Sequence, residues 1–247
     1  MQAVLTAFQV LEHVSRHQPV GVSDLARGMS MPKSTAQRML KTLQVAGWIR
    51  LRSSDDPRWI LTPRVLSLGA RVGDAEALRV VAAEPMRVLG QATGETVHLV
   101  VPDGLEVVLL AKVPSIHAVQ PLSFVGNRSP IHATSSGKAI LAAMSERERN
   151  AVVGERQRQL TPNTLTTRRE LEAEFARIRQ RGWAFNREEY QLGISSVGAA
   201  ILAHDRPVGA ITLSIPSMRL DNQRIAELGP LVASTARTIE RNLDVAP

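Results

Sequence analysis

The sequence predicts an α+β chain in two parts: a small helical part closed by a β-hairpin, then a larger part in which helices flank an antiparallel sheet. Three observations carry this prediction. Apolar residues recur at helical spacing from Val4 to Leu43; two short runs mixing β-branched, aromatic and basic residues follow around a turn cluster; and from Thr96 onward β-rich pairs alternate with helical segments. A length of 247 residues suits one to two domains, and 44% apolar with 21% charged residues excludes a disordered or coiled-coil chain.

Val4, Phe8, Leu11 and Val14 mark a first helix from Gln2 to Arg16, ended by Pro19 and Gly21. Ser23 is the expected cap of a short second helix holding Leu25 and Ala26 and stopping at Gly28. Pro32 suits the first position of a third helix, whose inner face holds Ala36, Leu40, Leu43 and Gly47. Its opposite face carries Ser34, Gln37, Arg38 and Lys41. Two short helices joined at a glycine, the second bearing donors outward, form a helix-turn-helix, although any surface helix has a polar stripe. Trp48–Arg52 and Arg58–Leu61 around Ser53–Pro57 add a hairpin, which makes the unit a winged helix. Arg50, Arg52 and Arg58 then meet a sugar-phosphate backbone, while Asp55 and Asp56 oppose phosphate, so the tip is expected to point away.

Leu61-Thr62-Pro63 followed by Arg64 to Arg71 predicts a linker helix closed by Gly69 or Gly73. Leu78, Val81, Ala82 and Leu89 place a helix from Ala75 to Ala92. Thr96–Val101 and Leu105–Val113 pair across Pro102-Asp103-Gly104. A loop from Pro114 to Pro130 leads to a helix capped by Thr134, then to helices at Glu146–Val153 and Arg168–Arg181. Strands at Ser196–Ala203 and Val208–Ile215 turn at His204-Asp205-Arg206-Pro207, and a helix from Asp221 to about Leu243 ends the pattern. The expected domains are residues 1–62, a linker helix at 63–74, and 75–247.

Charge narrows the function. The chain carries a net charge of +7, of which residues 1–75 hold +5, and eight aromatics are too few to read single strands by stacking, so duplex DNA is the expected partner. Zero cysteines exclude disulfides, thiolate nucleophiles, iron–sulfur clusters and the common structural zinc sites. The six histidines are scattered, only His13 and His17 sharing an i, i+4 spacing, so no metal and no cofactor are expected. No apolar stretch approaches the ~18 residues that span a bilayer, and a cytoplasmic protein without membrane contact is expected.

Several ordered segments resemble the IclR (isocitrate lyase regulator) family of bacterial transcription factors over nearly the whole chain. They are Pro32-Lys33-Ser34-Thr35, Leu61-Thr62-Pro63-Arg64, His132-Ala133-Thr134-Ser135-Ser136-Gly137-Lys138-Ala139, Gly182 to Glu189 with Gly193, and Pro207 to Ser214. The resemblance implies a winged helix-turn-helix domain, a linker helix and a GAF-like effector domain that binds a small organic or aromatic acid. It also implies a homodimer or dimer of dimers on a pseudo-palindromic operator. DNA contacts are expected from Lys33, Ser34, Thr35, Gln37, Arg38, Lys41, Arg50, Arg52 and Arg58. Effector contacts are expected from Ser135, Ser136, Gly137, Asn186, Ser196, Thr212 and Ser214. Asn186, Ser196 and Ala200 depart from residues frequent in the family (an acid, Cys and Pro), so ligand identity does not carry over.

Two other readings compete. Ser135-Ser136-Gly137-Lys138 has the Ser-x-x-Lys spacing of a serine–lysine hydrolase, but the Ser-Asp-Asn and Lys-Thr-Gly elements that accompany it are missing. Glu188 and Glu189 are adjacent, which splays their carboxylates and disfavours an acid/base pair. The remaining alternative is an effector-free DNA-binding oligomer. No catalytic residue is assigned.

Overall fold

The structure is a computed structural model that describes residues 2–69 and 73–245, without the side chains of 73 and 74. It divides into two units, Met1–Gly73 and Asp74–Pro247.

In the first unit, helices α1 (Gln2–His17), α2 (Val22–Gly28) and α3 (Lys33–Val45) precede strands β1 (Ile49–Leu51) and β2 (Trp59–Leu61) and helix α4 (Arg64–Gly69). Val10, Val14, Leu25, Ala36, Leu40 and Leu43 interlock with Ile49 and Trp59. This core fixes α3 with its Ser34, Gln37, Arg38 and Lys41 side outward. Strands β1 and β2 pair antiparallel with Arg50 opposite Ile60.

Local details differ from expectation. Helix α2 starts at Val22 behind Gly21, with no side-chain cap, so Ser23 lies inside its first turn. Pro32 is the N-cap of α3 and Lys33 its first residue. Gly28 stays helical, and the left-handed residue of this turn is Ser30 (φ 51). Gly47 leaves the inner face altogether: at φ +78 it supplies the left-handed turn by which the Trp48 N–H reaches the Leu43 carbonyl at 2.9 Å. The linker expectation ran to Arg71, and residues 70–72 lie outside the described residues.

The second unit opens with α5 (Gly73–Thr93), then β3 (Thr96–Asp103), β4 (Glu106–Val113), β5 (Arg128–Pro130), a 3-10 turn (Ile131–Ala133) and α6 (Ser135–Ala143). There follow α7 (Glu146–Val152), α8 (Arg168–Arg181), β6 (Ala184–Arg187), β7 (Ile194–Ala203), β8 (Arg206–Pro216) and α9 (Asn222–Val245). One antiparallel sheet has the order β5-β4-β3-β8-β7-β6. Alternation sorts its faces. Leu99, Val197, Ile211 and Leu213 pack under Leu78 and Leu89 of α5 and Val232 and Ile239 of α9. Val100, Val107, Leu109 and Ala210 face Ile140 and Leu141 of α6 and Leu171 and Phe175 of α8.

The β3–β4 turn is tighter than expected, because Pro102 and Asp103 still pair with Val107 and Glu106. The β7–β8 turn is His204-Asp205, both at positive φ (49 and 60), as a two-residue hairpin turn requires. The sequence reading passed over β5 and β6, which have three and four residues and so too little pattern to show a period.

Candidate functional site

Two surfaces stand out, one in each unit. On the first, Ser34, Gln37, Arg38 and Lys41 lie on one open face of α3 with Thr42 and Val45. Lys33, Gln37 and Arg58 line a neighbouring shallow cleft with the start of α2. Of the expected DNA contacts, Lys33, Ser34, Gln37, Arg38, Lys41, Arg50, Arg52 and Arg58 are exposed and Thr35 is half-buried.

The wing is organised by a residue that the sequence reading treated only as repulsive. Asp56 accepts from Arg58 Nε at 2.6 Å and Nη2 at 2.8 Å, and from Arg52 Nη1 at 3.4 Å. The Arg58 hydrogen bonds hold its carboxyl below the usual carboxylate range. Asp56 therefore folds back onto two of the wing arginines, and Arg50 is the wing arginine outside this cluster.

The second surface is a cavity of about 120 Å³ on the sheet face that α6 adjoins. Of the seven expected effector residues it brings together Ser136, Asn186, Ser196, Thr212 and Ser214. Thr212 and Ser214 alternate with core residues on β8, and Ser196 stands opposite both Asn186 and Ser214. Ser135 and Gly137 are not among the lining residues. The Ser135 hydroxyl lies 2.8 Å from both Ser196 Oγ and Thr212 Oγ1, and Thr212 donates to the Val197 carbonyl at 2.8 Å. The Gly137 N–H is taken by the Thr134 hydroxyl at 3.0 Å, and a Cβ at 137 would sit 2.0 Å from the Ile131 carbonyl oxygen. Gly137 is thus a packing requirement, with its N–H already engaged by the helix cap. Asn186 is also engaged, donating to the Ala133 carbonyl and accepting from the Glu189 N–H at 2.9 Å.

Sequence reasoning missed several lining residues. His98 faces the cavity with Nε2 2.8 Å from Ser123 Oγ. Burial, reinforced by the Lys112 ammonium across the β3–β4 pair, pushes its pKa down to about 4, so the ring is neutral at pH 7. The signal was strand alternation: His98 sits between the core-facing Val97 and Leu99 and pairs with Thr212. Asn127, Ser129, Tyr190 and Gln191 also line the space, and no Lys, Arg, Asp or Glu is among the lining residues.

Lys138 and Glu189, discounted separately in the sequence, meet in the interior. Lys138 is 1% exposed and donates to Glu189 Oε1 at 2.5 Å and to the Phe185 carbonyl at 2.7 Å. Burial pushes the Glu189 carboxyl up, against the opposing effect of the ammonium. The Glu189 carbonyl accepts from Thr164 at 2.6 Å, which fixes the segment leading to Tyr190. Among the described residues no group of three His, Asp or Glu could hold a metal ion, and no helix is long and apolar enough to cross a membrane.

A helix-turn-helix with its donor face bare, a wing of arginines and a second unit built around a polar cavity define a DNA-binding regulator of transcription. Comparison with known families matches residues 3–53 to the IclR helix-turn-helix domain and 71–241 to the bacterial transcriptional regulator IclR C-terminal domain. The chain belongs to the IclR family of transcriptional regulators. It is 30% identical to the HTH-type transcriptional regulator XynR of Escherichia coli K12 over 98% of this chain and 97% of that one. The crystal structure of the Thermotoga maritima IclR superposes with a TM-score of 0.78 at 30% identity, covering 98% and 99% of the two chains. An IclR homolog of Microbacterium hydrocarbonoxydans, crystallised with 4-hydroxybenzoate, shares the fold with a TM-score of 0.82 at 24% identity, covering 99% and 100%.

Proposed function

We propose that this regulator is controlled by a small organic acid bound in the second unit's cavity, which changes its affinity for DNA. The observation that carries this reading is the cavity itself: hydroxyls of Ser136, Ser196, Thr212 and Ser214 converge beside the first turn of α6 over a floor of Val100, Val107 and Leu109. A volume of about 120 Å³ suits a single ring or a short acid, since a space of ~150 Å³ accepts benzene. The unpaired amides at the start of α6 favour an anionic group. Binding without turnover is the better reading, because Lys138 is engaged by Glu189 and the neighbours of the Ser135 hydroxyl are other hydroxyls, leaving it without a base. The test is calorimetry with mono- and dicarboxylic acids, 4-hydroxybenzoate among them, on wild type and Ser196→Leu. Binding to wild type alone supports this site; equal binding to both places it elsewhere, and no binding at all favours the effector-free reading.

We further propose that the protein acts in the cytoplasm as a homodimer or dimer of dimers on a pseudo-palindromic operator. One winged helix reads few base pairs, and Val4 and Phe8 on α1 and Leu66 and Leu68 on α4 leave apolar side chains exposed. Light scattering at micromolar concentration checks this, a ~27 kDa particle that still binds operator tightly being the contrary result.

A further inference from the structure

Of the 30 basic residues in the chain only four are lysines, Lys33, Lys41, Lys112 and Lys138, and the structure divides them evenly. Two are used inside the fold. Lys138 is 1% exposed, its ammonium closed between Glu189 and the Phe185 carbonyl, and the half-buried Lys112 donates to the Ser123 carbonyl at 2.9 Å. Lys33 and Lys41 are exposed on α3, and among the described residues neither ammonium has a hydrogen-bond or ion-pair partner. Lys33 lines the cleft that holds Arg58 of the wing, Lys41 lies on the open face with Arg38, and Gln37 borders both surfaces. Two turns of helix set the two lysines about 12 Å apart along its axis.

Lysine and arginine differ in one reaction that this distribution brings to bear on DNA. A guanidinium stays protonated and is no nucleophile, whereas an ammonium in water yields a small fraction of free amine. A nucleophile needs a free lone pair and room for its partner, and a lysine held as a donor inside the fold has neither. An amine-directed acyl donor that meets the folded protein therefore finds its lysine targets on α3. Resting on the α3 face as the DNA contact, we propose that Lys33 and Lys41 are acylation sites through which an acyl phosphate lowers DNA affinity. The Nζ lone pair attacks the acyl carbonyl carbon and a C–N bond forms. The bond from that carbon to the bridging oxygen breaks, phosphate leaves with the electron pair, and the amine proton passes to water. The product is a neutral amide, so each event removes one positive charge from the DNA face and leaves the arginines as they were. No lysine lines the cavity of the second unit, so this input and a bound ligand act on different side chains.

The experiment compares the full-length protein with two double variants, Lys33→Arg with Lys41→Arg and Lys33→Gln with Lys41→Gln. Acetyl phosphate is the donor and a random-sequence duplex the probe. Peptide mapping by mass spectrometry is expected to find Lys33 and Lys41 of wild type acetylated well ahead of Lys112 and Lys138. Duplex affinity at ~0.15 M salt should then fall by about tenfold or more, and the salt slope by up to about two, because two cations no longer release counterions. The glutamine variant should show that loss without treatment. The arginine variant, whatever its own starting affinity, should lose none of it on treatment, which assigns the effect to these two amines and not to acetylation elsewhere. Labelling that misses Lys33 and Lys41, or reaches all four lysines equally, overturns the proposal. So does an acetylated wild type of unchanged affinity, a glutamine variant that binds as wild type does, or an arginine variant that weakens on treatment. In all these cases untreated wild type still binds duplex, and the DNA reading stands. A wild type that binds no duplex before treatment overturns both.

Discussion

The outer face of α3 and the cavity of the second unit use similar side chains in opposite states. Ser34, Gln37, Arg38 and Lys41 are exposed, and among the described residues no ion pair engages Arg38 or Lys41. Ser135, Ser196 and Thr212 bond to one another, Asn186 is engaged on two sides, and the lining lacks a formally charged residue at pH 7. Water satisfies the first set, so its donors stay available for base edges at no folding cost. The second set is largely withdrawn from water, where an unpaired buried polar group costs about 1–3 kcal/mol, so its members bond to their neighbours. A surface that reads a large charged partner can leave its donors bare; a cavity that waits for a small one can leave very few.

The largest expected effect strikes the cavity's neutrality. His98 has a folded-state pKa of about 4 against 6.5 for the ordinary group, so the native state binds its proton less readily than the unfolded chain. Its contribution is therefore complete above pH 6.5 and is lost as pH falls toward 4, by about 3 kcal/mol from this one group. Denaturant unfolding across that range should show the loss in wild type and a flatter profile in His98→Gln; identical profiles would mean that the ring is solvated.

Next comes the open face. Arg38→Ala should cost about 1–3 kcal/mol on the preferred operator and relax specificity at one position, as loss of a base contact does. Competition with random duplex measures it, and an unchanged ratio of specific to random affinity removes Arg38 from base readout. Asp56→Asn probes the wing, where the two states mix. Freeing Arg52 and Arg58 should steepen the salt dependence of random-duplex binding by up to about two. A shallower slope would show instead that Asp56 aims the arginines at phosphate. The smallest effect is Arg50→Ala, which should lower the same slope by about one and weaken all duplexes alike.

The two regions were also unequally legible in the sequence. The α3 face needed only helical spacing, which places positions 34, 37, 38 and 41 together wherever the helix docks. Local chemistry likewise located α6 from its Thr134 cap, and the expected bounds of α8, Arg168–Arg181, are the observed ones. Parts of the cavity were readable by alternation, as with Thr212 and Ser214. The rest depended on long-range register. Lys138 and Glu189 are 51 residues apart, and only the docking of α6 beside β6 unites them. His98 became a cavity residue because β3 pairs with β8. Even near in sequence, the ion pairs of Asp56 with Arg52 and Arg58 were not read, because its sign toward DNA was weighed without its reach.

The seat of α6 has an evolutionary consequence. A Cβ at 137 would meet the Ile131 carbonyl oxygen at 2.0 Å, and one at Gly198, on the strand beneath, would meet Ser135 Oγ and the Ser136 nitrogen at 3.0 Å. Where the helix opens, even a methyl group has no space at 137 and must force its neighbours apart at 198. Drift toward a new ligand is thereby channelled away from the helix seat and onto the opposite walls. There Asn127 and Ser129 can change size and polarity while the first turn of α6 stays in place. On the acid reading proposed above, a lineage of such proteins can exchange one small molecule for another and keep the same helix turn for its acidic end.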